Sequence, residues 1–83
     1  MKILYFAWVR NAVGAGQEDV EPPAEVTTVR GLLDWLAGRS AGHGEALAER
    51  ARIRVAVNQD FASPDAPVQP GDEIAIFPPV TGG

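Results

Sequence analysis

The sequence predicts an α+β domain in which a mixed sheet wraps one main helix, and three observations carry that expectation. Runs of β-branched, aromatic and apolar residues stand near the two ends of the chain, over residues 2–9 and Glu73–Phe77. One helical stripe, Val29, Leu32, Leu33 and Leu36, lies between them. The chain of 83 residues is the length of one domain with one thin core, and the connections are short.

Residues 2–9, KILYFAWV, suit a pleated and half-buried surface, which predicts the first strand. Gly14 and Gly16 mark a turn, and a short second strand over 18–21 closes a hairpin before Pro22 and Pro23 end it. Thr27 or Thr28 caps the helix, whose apolar residues fall at i, i+3, i+4 and i+7. Gly38 and Gly42 break the stripe, and a short helical piece is expected over 45–50. Ile53, Val55 and Val57 then alternate with the period of a strand. Pro64, Pro67 and the Pro70-Gly71-Asp72 turn signal mark an irregular stretch that leads into the last strand. Two strands, a helix and two or more strands is the β-grasp order, in which the first and last strands lie side by side.

A single helix covers one face of a sheet, which makes the first strand informative. Ile3, Tyr5, Ala7 and Val9 point to one side of it, and Leu4, Phe6 and Trp8 to the other. If the first set meets the helix, then Leu4, Phe6 and Trp8, together with Phe77 of the neighbouring last strand, form an exposed apolar patch of the kind that marks a partner interface. The alternative is that loops or the 45–50 segment cover that face.

Eleven acidic residues against seven basic ones leave a net charge of −4, which argues against nucleic acid and for protein partners with basic surfaces. Lys2 is the only lysine, so chains of the protein conjugated to itself are not expected. The absence of cysteine removes disulfides, thiolate nucleophiles and cysteine-built metal sites. No run approaches the ~18 apolar residues of a membrane span, and Met1-Lys2-Ile3 opens without a signal-peptide pattern, so the cytoplasm is the expected compartment and no membrane is involved. His43, the only histidine, reads as part of an exposed turn, Gly42-His43-Gly44, with a structural or idle role and no second ligand at a metal-binding spacing. Gly14-Ala15-Gly16 lacks the following glycine and basic residue of a phosphate loop. No metal site and no catalytic machinery are expected within the domain.

The carboxyl end reads differently. A globular domain over 1–77 is followed by an extended, flexible tail over 78–83, Pro78-Pro79-Val80-Thr81-Gly82-Gly83. Two prolines remove backbone donors and hold the chain extended as it leaves the sheet. At ~3.3–3.6 Å per residue the tail reaches about 20 Å, enough to thread a pocket in another protein. Glycines at the end pass a narrow channel and let a carboxylate approach a nucleotide closely. The competing reading is a frayed end without function.

Phe6-Ala7-Trp8-Val9-Arg10, Ala56-Val57-Asn58-Gln59, Pro70-Gly71-Asp72-Glu73 and above all Phe77-Pro78-Pro79-Val80-Thr81-Gly82-Gly83 resemble the MoaD family, the small subunits of molybdopterin synthase among the ubiquitin-like and ThiS-like sulfur carriers. Asn11 departs from the acidic residue usual after the matched arginine, a local surface change. The resemblance implies a ubiquitin-like β-grasp protein with no permanently bound cofactor. An adenylyltransferase of the ubiquitin-activating, MoeB-like kind uses ATP to adenylate Gly83, and a sulfur donor system converts it to a thiocarboxylate. The tail, Pro78 to Gly82, then inserts into the large, MoaE-like subunit, where the sulfur passes to precursor Z. Two large and two small subunits are the implied assembly. The same fold and ending also serve thiamine synthesis, tRNA thiolation and protein modification through Gly83, and a plain interaction module remains the alternative from another class.

Overall fold

The computed structural model describes residues 1–79. Five strands form one sheet in the order β2-β1-β5-β3-β4: β1 (Lys2–Tyr5), β2 (Gln17–Asp19), β3 (Arg54–Val57), β4 (Asp60–Ala62) and β5 (Glu73–Phe77). β1 runs parallel to β5 and the other pairs are antiparallel. Three helices accompany them, α1 (Ala7–Val13), α2 (Val29–Ala37) and α3 (Ala41–Leu47), with a 3₁₀ turn at Arg50–Arg52. This is the ubiquitin-like β-grasp, with its first and last strands adjacent as expected.

The helix α2 forms where the periodicity predicts it. The Thr28 hydroxyl accepts from the Gly31 N–H at 3.1 Å, and Val29, Leu32, Leu33 and Leu36 are all buried. Alternation along the strands sends Ile3, Tyr5, Val55, Ile74 and Ile76 into the same core, which also takes Val9 from α1 and Ala46 and Leu47 from α3. The opposite face of the sheet carries Leu4, Ala75, Phe77, Arg54 and Phe61, fixed there by the register Leu4↔Ala75, Arg54↔Phe77 and Ala56↔Phe61.

Three expectations are corrected. The first strand stops at Tyr5, because β2 pairs only with Lys2 to Leu4 and β5 pairs only as far as Tyr5. Without a neighbour, strand propensity has nothing to act on. The chain turns a corner at Ala7, whose φ of 52° lies outside the right-handed region, and continues as α1, which buries Val9. Gly14, at φ 93°, closes that helix in the left-handed conformation, its N–H on the Arg10 carbonyl at 2.8 Å. A helix therefore stands between β1 and β2, so they are not a hairpin, and β2 is Gln17–Asp19 rather than 18–21.

The second correction is Gly42, which lies inside α3 instead of breaking a helix, and α3 begins earlier than the 45–50 expected. A Cβ at Gly42 would sit 2.4 Å from the Ala12 carbonyl oxygen, so glycine is what lets α3 cross α1 at close range. The third concerns β4, which the expectation of two or more strands after the helix left unplaced and which precedes the irregular stretch that begins at Pro64. Asn58 and Gln59, at φ 51° and 74°, make the tight two-residue turn that joins β3 to β4. The Asn58 amide donates to Asp72 Oδ1 at 3.0 Å and its oxygen accepts from the Glu73 N–H at 3.0 Å, while Asp72 Oδ2 accepts from the Gln69 N–H at 2.9 Å. That clamp satisfies the buried Asp72 and ties the β3–β4 turn to the start of β5.

Candidate functional site

Because β5 lies between β1 and β3, the chain leaves the domain from the middle of the sheet's end and not from an edge. On the β1 side the last backbone contact beside it is the Phe6 N–H on the Ile76 carbonyl at 3.1 Å, and on the β3 side Phe77 stands opposite Arg54. Pro78 and Pro79, both half-buried, follow directly and offer no N–H to extend the sheet. Val80, Thr81, Gly82 and Gly83, the tail residues and reactive end expected from sequence, lie outside the described residues.

An apolar surface adjoins this exit. Leu4 and Phe77 are half-buried on the sheet face away from the helices, and Phe6, extended one residue past β1, is 47% exposed at its end. Trp8 does not join them. It belongs to α1, packs against the core, and lies under the Arg52 guanidinium, 4.7 Å from the ring centroid. The expected set of Leu4, Phe6, Trp8 and Phe77 is corrected accordingly, since the alternation that would have grouped them ends at the corner of Ala7.

Phe61 takes the vacated place, a residue that sequence reasoning passed over. It is 82% exposed on β4, its ring 5.9 Å from that of Phe77 and tilted 46° to it. Beside Phe77 it enlarges the apolar surface of this face, and contiguous apolar surface is what marks interaction sites. The signal for it was present in Asn58-Gln59, a turn pair that returns the next residues to the sheet. Phe61, Phe77 and Arg54 line a shallow hollow of about 250 Å³ on this face. The Arg54 guanidinium is steadied there by Nη1, which donates to the carbonyls of Ile53 at 2.8 Å and Ala51 at 3.2 Å.

His43 is buried, contrary to the exposed turn expected, and works in a polar cluster. Its Nε2 lies 2.7 Å from Glu18 Oε1, its Nδ1 lies 2.6 Å from Ser40 Oγ, and the Tyr5 hydroxyl donates to the same Glu18 oxygen at 2.8 Å. Ser40 Oγ also accepts from the His43 N–H at 3.2 Å and so caps α3. Every group is matched when Ser40 donates to Nδ1 and Nε2–H donates to Glu18. Burial by itself raises the Glu18 carboxyl, but hydrogen bonds from His43 and Tyr5 and the favourable electrostatics of His43 and Arg39 outweigh it and hold the group below the usual carboxylate range. Burial, then the bond to Glu18, pushes the Tyr5 hydroxyl well above its ordinary value. The cluster fastens β1 and β2 to α3, far from the hollow in role. Among the described residues no three His, Cys, Asp or Glu side chains converge to hold a metal ion, and no helix is long and apolar enough to cross a membrane.

A family model described as "ThiS family" matches residues 3–83. The chain is similar to the molybdopterin synthase sulfur carrier subunit of Escherichia coli (strain K12), with 43% identity over 83 residues that cover 100% of this chain and 99% of that protein. It is similar to the protein of the same name from Homo sapiens, with 31% identity over 86 residues covering 100% and 93% of the two chains. Among solved structures, SAMP1 from Haloferax volcanii superposes with a TM-score of 0.76 at 32% identity, covering 100% of this chain and 98% of the other.

Proposed function

The chain belongs to the ThiS family, and from that premise we propose that it is the sulfur-carrying small subunit of a molybdopterin synthase, with a large subunit as its partner. The observation that carries this reading is the match over the whole chain to sulfur carrier subunits of that enzyme. The geometry supports it. A central strand delivers Pro78 and Pro79 beside an apolar face, so a partner that docks on Phe6, Phe61 and Phe77 receives the tail at the same time.

The chemistry resides in the Gly83 carboxyl. A carboxylate resists attack by a nucleophile because its charge repels and oxide is a poor leaving group. A MoeB-like adenylyltransferase removes that obstacle: the carboxylate oxygen attacks the α-phosphorus of ATP, pyrophosphate leaves, and an acyl-adenylate forms. A sulfur nucleophile from the donor system then displaces AMP and leaves a thiocarboxylate. Its sulfur, softer and less tightly hydrated than oxygen, attacks a carbon of precursor Z, the cyclic pyranopterin monophosphate, in the pocket of the large subunit and displaces an oxygen leaving group; water then hydrolyses the resulting thioester, which leaves the sulfur on the pterin and returns the Gly83 carboxylate. The domain holds the tail, presents it and supplies the docking face, and no side chain of this chain takes part in bond making. These steps take place in the cytoplasm.

The test is mass spectrometric. Incubation with ATP, an activating enzyme and a sulfur donor replaces one terminal oxygen by sulfur, and fragmentation places the change at Gly83. The product makes molybdopterin from precursor Z once the large subunit is added, and the untreated protein does not. A chain extended beyond Gly83 folds normally and is inactive, because its Gly83 carbonyl is an unreactive amide. Full activity of an extended chain without proteolysis refutes the reading, and an isopeptide between Gly83 and a lysine instead of a thioacid identifies a protein modifier.

A further inference from the structure

We propose that the hollow formed by Arg54, Phe61 and Phe77 is a two-part anchor, taking an apolar side chain of the large subunit between its rings and a carboxylate of the same partner on Arg54. This rests on the carrier reading above and adds to it the charge of the surface that receives the tail.

The chain as a whole is acidic, at −4, yet the residue opposite Phe77 at the exit end of this face is an arginine, Arg54. Lys2 and Glu73 stand across from each other in register at the far end of the face, where opposite charges offset one another. Arg54 stands opposite Phe77 at the near end and makes no ion pair among the described residues. The two carbonyl bonds to its Nη1 hold the guanidinium plane in place, which lowers the cost of ordering it on binding. Nε and Nη2, which have no partner among the described residues, keep their donors for an incoming oxygen pair, the fork to which a carboxylate is matched. At this one position an acidic group on the partner is therefore called for, in contrast to the basic surface that the net charge of the whole chain favours.

Apolar contact and charge contribute separately, and that separates them experimentally. Affinity for the purified large subunit is measured by calorimetry at low and high salt for the parent, Arg54→Gln, Arg54→Glu and Phe61→Asp. Loss of a charge that meets a carboxylate lowers affinity roughly tenfold, more for Arg54→Glu, and flattens the salt dependence. Thermal melting confirms that each variant is folded, as the exposure of both positions implies. Parent-like affinity and parent-like salt dependence in both Arg54 variants overturn the anchor, and a weakened Phe61→Asp in the same series leaves apolar docking intact. If Phe61→Asp also binds like the parent, the whole face is excluded as a docking surface. The carrier reading is judged apart from both, by the mass of the thiolated Gly83.

Discussion

Replacing Glu18 by alanine removes the acceptor on which two buried groups depend. The Tyr5 hydroxyl, 2.8 Å from Oε1, and His43 Nε2, 2.7 Å from it, then face a void in place of a carboxylate. Hydrogen bonds to a charged acceptor are each worth ~1.5–3 kcal/mol, and donors left unmatched forfeit a similar amount. The Glu18 side chain is 21% exposed, so water enters part of the space and brings the combined loss to about 2–4 kcal/mol. For a domain of this size that is a fall of roughly 10–25 °C in Tm. The pH dependence has a definite sign. The folded carboxyl ionises below its ordinary 4.5, so between the two values the unfolded chain binds more protons than the folded one. The stabilisation is therefore fully present above 4.5 and is lost as the pH falls through the folded value. Denaturant unfolding across that range shows the parent losing stability on acidification more steeply than Glu18→Ala. Melting of the variant within about 1 °C of the parent, or parallel pH profiles, refutes the argument that this cluster fastens the β1–β2 edge to α3.

Two further outcomes follow from packing. Gly42→Ala drives a methyl group onto the Ala12 carbonyl oxygen at 2.4 Å, so α1 and α3 must separate, which costs about 1–3 kcal/mol in denaturant unfolding even though alanine is the better helix former. A variant at least as stable as the parent refutes the close crossing. Phe61→Ala, at 82% exposure, leaves stability within about 0.5 kcal/mol of the parent and weakens binding to the large subunit by roughly thirtyfold, the scale of an aromatic anchor. The opposite pattern, lost stability with unchanged binding, assigns Phe61 to the fold.

What the sequence determined by itself is whatever depends on near neighbours along the chain. The helix at Val29 to Leu36 and its cap at Thr28 are written in a spacing of three and four residues, and nothing distant has to agree. The last strand, the prolines that end the ladder and the turn at Gly71 are local in the same sense, as is the order of strand and helix that defines the β-grasp. Tertiary structure decided the rest, because the competing local choices there are nearly equal. Residues 2–9 suit a strand throughout, yet only Lys2–Tyr5 finds partners, and the corner at Ala7 carries Trp8 off the outer apolar face and Val9 into the core. Gly42 reads as a breaker until Ala12 is seen against it, and His43 reads as exposed until Glu18, twenty-five residues away, supplies its acceptor. Phe61 becomes part of a surface only when β3 brings β4 back beside Phe77. Contacts between residues far apart in the chain leave no periodicity to read, and the free energy that selects them arises only on folding.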